Sequence, residues 1–276
     1  MALESLSILE DLQTETPGAF NQTGWHMLIP PDLVSAARDI VKMQSGLGID
    51  TGFLDDDRRA ALDTWLNPHG IGAIVHEPRG GYADPTRVTE TLAARFEALG
   101  GELRLRTPCR ALLRERGRIV GVALEGEDVM AGVVVNAAGP WAKPLAEVAG
   151  IEMPLRIVRE QDSVWEAREG RPLPETSISN AVDAIYIRPL GERRFIIGQG
   201  FPKAYLDVDP YNYRERADPA FEALAQERAT SRIPPFQGMR LVASYAALYD
   251  VTPDWYHLVG PREGLSGYAD ACGGSG

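Results

Sequence analysis

The sequence predicts an α/β protein with two different kinds of sheet. Residues 133–135 form a continuous valine run, which is typical of a strand covered on both faces within a parallel sheet. Residues 153–239 instead contain several short strand-like segments and one helical segment, a pattern that favours an antiparallel α+β arrangement. A chain of 276 residues is long enough for two domains of ordinary size.

One helix is marked at both of its ends. Asp84 can accept a hydrogen bond from the first free amides, Pro85 suits the first helical position, and Gly100 and Gly101 end the helix. The apolar residues of this helix share one face, which predicts that it packs on a flat apolar surface. These residues are Val88, Leu92, Phe96 and Leu99.

The remaining elements follow from the spacing of apolar residues. Helical spacing predicts helices at residues 2–12, 32–44, 55–65, 143–149 and 219–229. Alternation and β-branched runs predict strands at residues 25–29, 102–106, 156–165, 184–188, 193–199 and 240–249, and strands with turns at 257–272. Residues 111–115 and 119–125 read as a hairpin, and residues 129–135 as the strand that contains the valine run.

The composition narrows the classes of function. The net charge of −11 opposes binding to the phosphate backbone, so no nucleic-acid partner is predicted. Cys109 and Cys272 fit neither a zinc spacing nor a Cys-x-x-Cys motif; a disulfide between them is open, but two reduced thiols are favoured. The chain lacks a positively charged start and any run of ~18 apolar residues, so a cytoplasmic protein without a membrane span is expected.

The motifs of several common chemistries do not occur in the sequence. There is no Gly-x-Gly-x-x-Gly fingerprint, and the nearest glycines, Gly46, Gly48 and Gly52, have the wrong spacing. There is also no Walker loop and no Gly-x-Ser-x-Gly elbow. The four histidines are scattered without an evident metal partner, so no metal site is predicted.

The sharpest chemical signal lies where the predicted valine strand ends. Ala137, Ala138 and Gly139 follow Asn136 at this point. Such small residues let a flat ligand come close to the backbone. A tight strand-to-helix connection without any ligand is the alternative explanation for the same residues.

Two separated groups of motifs resemble a known family. The first group is GGYADP (residues 80–85), GGE (100–102), TPC (107–109) and VVNAAGPW (134–141). The second is YDVTPD (249–254), LVGP (258–261) and GGSG (273–276). In this order they resemble the D-amino-acid-oxidase superfamily of FAD-dependent oxidoreductases, and within it sarcosine oxidase, glycine oxidase and dimethylglycine dehydrogenase. Compared with that family, the chain is expected to be truncated at both ends.

The resemblance implies a fold of two domains and FAD as the cofactor. One is an FAD-binding (Rossmann-like) domain that lacks its first βα unit. It is discontinuous and comprises residues 1–17, 77–150 and 239–276. The other is an antiparallel α+β substrate domain that comprises residues 18–76 and 151–238.

The resemblance also implies residues of the cofactor site. Cys109 would lie where the family has a Val whose backbone contacts the adenine. Pro253, Asp254 and Gly260 would approach the ribityl chain and the isoalloxazine ring, although Pro253 and Asp254 could simply shape a turn. The other implied cofactor-binding residues are Ala137, Ala138, Gly139 and Trp141 along the dinucleotide, and Gly273, Gly274, Ser275 and Gly276 near the flavin.

The substrate side departs from the family pattern. Tyr249 is a candidate substrate residue by its position, but amino-acid oxidases of this type often carry an Arg near it, and a tyrosine cannot form a bidentate ion pair with a carboxylate. Arg188 is therefore a candidate for that contact, and Tyr186 could line the same side of the ring. An ordinary strand surface is the alternative for both residues, and the sequence identifies no general base.

The implied function is oxidation of the C–N bond of an amino acid or an N-methylated, sarcosine-like amine by hydride transfer to flavin. The alternative is a non-catalytic remnant, or one half of a split flavoenzyme, that acts as a partner-binding protein. The implied partners are the small-molecule substrate and an electron-accepting protein or companion subunit. Because the glycine-rich turn is absent, weak FAD binding is expected.

Overall fold

The computed structural model describes residues 2–191 and 193–274. The α-helices are α1 (Ala2–Glu15), α2 (Val34–Gly46), α3 (Asp56–Leu62), α4 (Pro85–Ala98), α5 (Ala142–Val148) and α6 (Pro219–Arg232). The β-strands are β1 (Phe20–Asn21), β2 (Trp25–Ile29), β3 (Gly52–Phe53), β4 (Ala73–Glu77), β5 (Tyr82–Ala83), β6 (Ala111–Glu115), β7 (Arg118–Ala123), β8 (Asp128–Met130), β9 (Val134–Asn136), β10 (Arg156–Glu166), β11 (Ser177–Asn180), β12 (Ile185–Pro189), β13 (Arg194–Gln199), β14 (Leu206–Asp207), β15 (Arg240–Val251), β16 (Leu258–Pro261) and β17 (Tyr268–Cys272). Within the described ranges, no helix has the length and apolar character needed to cross a membrane.

The first of two compact units, unit 1, is built around a large open sheet. It comprises residues 2–103, Gln161–Lys203 and Arg216–Tyr245. Its strands follow the order β10, β13, β12, β11, β2, β4, β3, and every neighbouring pair is antiparallel except β11 with β2. Helix α6 packs on β12 and β13. Strand alternation points Ile185, Ile187 and Ile197 into the core that includes this helix, and all three are fully buried.

The second compact unit, unit 2, contains two smaller sheets. It comprises Arg104–Glu160, Ala204–Glu215 and residues 246–274. One sheet has the strand order β6, β7, β8, and the other has the order β16, β17, β9. In the second sheet, β17 is antiparallel to β16 and parallel to β9. The buried core of the unit includes Leu112, Ile119, Ala142, Met153 and Tyr268.

Most of the predicted elements are present. The strand predicted at residues 25–29 is β2, and the predicted hairpin is formed by β6 and β7. The helix marked at both ends is α4, where the Asp84 carboxylate accepts a hydrogen bond from the Arg87 amide at 3.0 Å. The division into a cofactor domain and a substrate domain stays a prediction, because compactness does not test which residues hold which ligand.

Two predicted strands are wrong in detail. Residues 102–106 form no strand, because the chain turns there and Arg106 takes a positive φ of 54°. The strand predicted at residues 129–135 is divided between β8 and β9. Val133 and Val135 are not covered on both faces but are 62% and 56% exposed. In the described part of the chain, β9 pairs with β17 alone, so its other edge is open.

The apolar face of α4 is also not packed as predicted. Leu92, Phe96 and Leu99 are 46%, 49% and 89% exposed. Polar side chains link this helix to α1 and to the residue after it instead: the Thr91 hydroxyl donates to the Thr16 hydroxyl at 2.8 Å, and Arg95 forms ion pairs with acidic residues of α1. The spacing of the apolar residues is helical, but this face lacks a described partner.

Candidate functional site

The parallel pair of β9 and β17 brings two segments of small residues together. Their register pairs Val134 with Tyr268 and Asn136 with Asp270. Because parallel strands end at the same edge of a sheet, residues 137–139 after β9 lie next to residues 273–274 after β17. In open α/β sheets, ligands bind at this carboxyl edge. The predicted cofactor residues Ala137, Ala138, Gly139, Gly273 and Gly274 thus share one location.

Two polar side chains fix the backbone of this edge. Asn136 is 2% exposed, and its amide donates to the carbonyl of Ala142 at 3.0 Å and to the Tyr268 hydroxyl at 2.9 Å. Its carbonyl oxygen accepts the amide of Ala138 at 3.3 Å. On the other segment, the buried Asp250 carboxylate accepts the Gly273 amide at 2.6 Å. Buried hydrogen bonds from Asn136 and Asp250 therefore fix the backbone that follows β9 and the backbone that follows β17.

The glycines of unit 2 show where a ligand would fit. Gly139 and Gly260 have positive φ values of 51° and 133°, and a β-carbon on either would meet no atom within 4 Å. Backbone is therefore open to contact at both positions. Gly273 also has a positive φ, 76°, but a β-carbon there would lie 2.6 Å from the Thr252 methyl group. Open backbone beside small residues fits one edge of a flat dinucleotide such as FAD.

Pro253 and Asp254 lie in a turn that Asp254 itself stabilises. The Asp254 carboxylate accepts hydrogen bonds from the Tyr256 amide and the Thr252 hydroxyl, both at 3.1 Å. The Tyr256 hydrogen bond, followed by that of Thr252, lowers the pKa of Asp254. Both residues thus lie in a turn, and their contact with the cofactor stays a prediction. Trp255, the next residue, takes a positive φ of 63°.

The remaining predicted cofactor residues are placed differently. Cys109 precedes β6 in the other sheet of unit 2, and its thiol donates to the Ala111 carbonyl at 3.5 Å. Burial raises the pKa of this thiol, and both cysteines are free, so no disulfide joins them. Trp141 is 42% exposed beside the β9 edge. Ser275 and Gly276 lie outside the described residues.

The predicted substrate residues fall on different elements. Tyr186 and Arg188 are two residues apart on β12, so both side chains lie on the sheet face that points away from α6. The guanidinium carbon of Arg188 lies 4.2 Å from the centre of the Tyr82 ring, a cation–π contact. Tyr249 is half-buried on β15 in unit 2. We call the face of unit 1 that carries Tyr186 and Arg188 the polar face.

The polar face also carries a carboxylate that the sequence reasoning missed. Asp162 on β10 accepts hydrogen bonds from the hydroxyls of Tyr186 and Tyr245. Burial raises the pKa of Asp162, and it outweighs the two phenols and the positive charges of Arg188 and Lys203, which lower it. The available signal was the polar run of residues 159–163, which separates the two apolar pairs of the strand, residues 157–158 and 164–165. Perturbed carboxylates of this kind are enriched at functional sites.

An open α/β fold with small residues and open backbone at the carboxyl edge of parallel strands is typical of cofactor-binding α/β proteins. The chain belongs to the FAD dependent oxidoreductase (DAO) family, whose model matches residues 1–276. The predicted resemblance and the predicted α/β fold class are thereby confirmed.

Curated relatives share this family at low identity. The chain is 26% identical to 4-methylaminobutanoate oxidase (formaldehyde-forming) of Paenarthrobacter nicotinovorans, an alignment that covers 86% of this chain and 29% of the relative. It is 24% identical to the mitochondrial sarcosine dehydrogenase of Homo sapiens, over 85% of this chain and 26% of the relative. It is 29% identical to glycine oxidase of Pseudomonas putida, over 68% of this chain and 48% of the relative. The chain thus spans less than two thirds of the length of these curated relatives.

Solved structures show the same fold. The L-proline dehydrogenase from P. horikoshii superposes with a TM-score of 0.88 at 23% identity, covering 99% of this chain and 72% of that one. The glycine oxidase from Geobacillus kaustophilus superposes with a TM-score of 0.81 at 20% identity, covering 99% and 73%. Both similarities concern the fold.

Proposed function

We propose that this chain is part of an FAD-dependent oxidoreductase that oxidises the C–N bond of an amino acid or an N-methylated, sarcosine-like amine. The observation that carries the proposal is the shared edge of β9 and β17, where open backbone and small residues fit a flat cofactor. Membership of the FAD dependent oxidoreductase family supports the choice of cofactor. When bound, FAD supplies the hydride acceptor for this oxidation.

The residues of unit 2 have a holding role in this proposal. Ala137, Ala138 and Gly139 on one loop, and Gly273 on the other, offer backbone to the cofactor. Asn136 and Asp250 keep the two loops in place through buried hydrogen bonds. A site whose shape is fixed before binding loses less free energy to ordering when the ligand arrives.

The names of the relatives support the substrate class. Methylaminobutanoate, sarcosine and glycine each combine an amine with a carboxylate. In unit 1, Arg188 and Lys203 supply positive charge near Asp162, and Tyr186 lines the same face. Arg188 is the candidate for the substrate carboxylate, because a guanidinium can bind it through two parallel hydrogen bonds.

The absence of a Gly-x-Gly-x-x-Gly turn predicts weak FAD binding. Such a turn supplies backbone amides to the pyrophosphate. Losing two or three of these charge-assisted hydrogen bonds, at roughly 1.5–3 kcal/mol each, lowers affinity on the order of a hundredfold to a millionfold. The expected dissociation constant therefore lies far above that of a tight flavoprotein.

The proposal is tested by adding FAD to the purified chain and measuring binding by calorimetry and by the visible flavin spectrum. We expect weak, saturable binding and bleaching of the flavin absorption when sarcosine is added without oxygen. Ala137→Leu places bulk on the exposed end of β9 and should weaken FAD binding about tenfold or more. Ala94→Leu, on the exposed surface of α4, is the matched control and should bind FAD normally. Equal FAD affinity in both variants would exclude the β9–β17 edge.

One observation favours the alternative of a split flavoenzyme. Val135 of β9 and Val133 just before it are exposed, and the edge of β9 away from β17 has no paired strand among the described residues. An apolar strand edge can receive a strand from another polypeptide. If the chain takes up no FAD at any concentration, the role of a partner-binding half or remnant becomes the better proposal. Recovery of FAD binding on adding a βα fragment with a glycine-rich turn would then distinguish the half from the remnant.

A further inference from the structure

Three residues form a straight row across the polar face of unit 1. The strand register pairs Asp162 of β10 with Gly198 of β13, and Gly198 with Tyr186 of β12. Residues that pair in register point to the same side of a sheet. Asp162 and Tyr186 are therefore separated only by a residue without a side chain.

Gly198 is what allows Tyr186 to reach Asp162. A β-carbon at Gly198 would overlap the phenol ring of Tyr186 and would lie 2.5 Å from the Asp162 oxygen Oδ1. The ring of Tyr186 thus lies across the glycine, and its hydroxyl donates to Oδ1 of Asp162. The hydroxyl of Tyr245 provides a second hydrogen bond to the same carboxylate. Two phenol hydroxyls therefore orient the carboxylate of Asp162.

The position of Asp162 is not explained by the core of unit 1. The core beneath the sheet is formed by the opposite set of side chains, such as Ile187 and Ile197, packed with α6. An apolar residue at position 162 would have avoided the cost of burying a carboxylate. Instead the chain places an acid there, and Arg188 and Lys203 lie close enough to stabilise its ionised form. The acid and the two cations that act on it complement the ammonium and the carboxylate of a zwitterion.

We propose that Asp162, held by Tyr186 and Tyr245, binds the ammonium group of a zwitterionic amino-acid substrate. This inference rests on the proposed function and adds the residue that recognises the amine. The substrate carboxylate then faces Arg188 and Lys203, the two cations whose charges lower the pKa of Asp162. The site favours an amino acid or N-methyl amino acid over an amine without a carboxylate, because only the first two bring a carboxylate that the positive charges of Arg188 and Lys203 attract.

The test compares two ligands that differ in a single charged group. Sarcosine carries a secondary ammonium, and methoxyacetate has nearly the same shape and carboxylate but an ether oxygen in its place. Binding of both is measured by calorimetry on the full chain in the presence of FAD. We expect the chain to prefer sarcosine by on the order of tenfold, and Asp162→Asn to remove this preference while keeping affinity for methoxyacetate.

Two further variants separate recognition from folding. Tyr186→Phe keeps the ring over Gly198 but removes the hydroxyl that aims Asp162, so the preference for sarcosine should fall by about threefold to tenfold. Glu166→Gln is the matched control, because it removes a carboxylate from the same strand and the same face, four residues away, where Glu166 pairs with Arg240. We expect Glu166→Gln to prefer sarcosine over methoxyacetate as strongly as the unmodified chain does.

The results separate this inference from the proposed function. The inference is overturned if the unmodified chain does not prefer sarcosine, or if Asp162→Asn keeps the preference. If Asp162→Asn reduces bound flavin with sarcosine as fast as the unmodified chain, the oxidoreductase proposal stands and the role of Asp162 fails. If the preference depends on Asp162 but no flavin is reduced by any amine, amine recognition stands and the oxidoreductase proposal fails.

Discussion

Arg232 is the most buried charged side chain of α6 and joins three parts of unit 1. It is 4% exposed, pairs with the Asp183 carboxylate at 2.6 Å, and donates to the backbone carbonyls of Asn67 and His69. Arg232→Met should destabilise the protein by about 3–5 kcal/mol, because both carbonyls lose their charged donor and Asp183 keeps the Asn180 amide but loses its ion-pair partner. Chemical denaturation measures the loss.

The matched control for Arg232 is an ion pair on the surface. The Nε atom of Arg58 lies 3.8 Å from the Oδ2 atom of Asp55, and the two side chains are 71% and 65% exposed. Water solvates both partners, so Arg58→Met should change stability by less than about 1 kcal/mol. A loss of similar size in the two variants would show that burial does not set the strength of the Arg232 pair.

Individual site residues were predictable from the sequence only where the motif itself is local. Ala137 and Gly139 follow a strand directly, so their position at the end of a strand could be predicted from neighbouring residues. Asp162 could not be found in this way. Its partners Tyr186 and Tyr245 are distant in sequence, and the contact depends on the register of β10, β13 and β12. Single-sequence patterns carry no such register.

The antiparallel pair of β2 and β4 contains two facing histidines. His26 is paired in register with His76, and their ring centres lie 4.7 Å apart. His26 is 7% exposed, and its Nδ1 atom has no hydrogen-bond partner among the described residues. Burial, with a smaller contribution from His76, lowers the pKa of His26 from 6.5 to about 4. Between about pH 4 and pH 6.5, His26 therefore stays neutral in the folded protein and becomes protonated in the unfolded chain.

The pH dependence of stability follows from this difference. Below pH 6.5 the unfolded chain takes up a proton at His26 that the folded chain does not take up until about pH 4, so stability falls as the pH falls through this range. The expected loss is about 2 kcal/mol between pH 7.5 and pH 5. His26→Phe should remove this component of the pH dependence in denaturation curves. His69→Gln, at an exposed position, should keep it, and a slope unchanged by His26→Phe would contradict the assignment.

Elements with signals at both ends were predicted better than those defined by pairing. Asp84 and the glycines after residue 99 located α4, because a cap and a stop act on the local backbone. Its apolar face misled the packing prediction, since the periodicity of a helix says which residues share a face but not what covers it. The strand predicted at residues 102–106 failed because the positive φ of Arg106 interrupts an alternating pattern.

At the scale of the whole molecule, the sequence predicted most of the order of helices and strands, but it did not predict which strands pair within each sheet. The sequence predicted a parallel strand near residues 133–135 and antiparallel strands later, and both kinds are present. It could not predict that β2 pairs in parallel with β11, because these strands are about 150 residues apart and only their three-dimensional arrangement brings them together. Sequence patterns alone therefore predict the fold class but not the order of strands in the sheets.

The open edge of β9 has a consequence for the molecule as a whole. Val133 and Val135 are more than half exposed, and unpaired apolar strand edges promote association between chains. We expect the purified chain to associate as its concentration rises in sedimentation velocity, and Val135→Lys to reduce this association by placing a charge on the strand. Val148→Lys is the matched control, because Val148 is 68% exposed on α5, where no strand edge is open. Equal effects of the two substitutions would mean that exposed apolar surface, and not the edge of β9, drives the association.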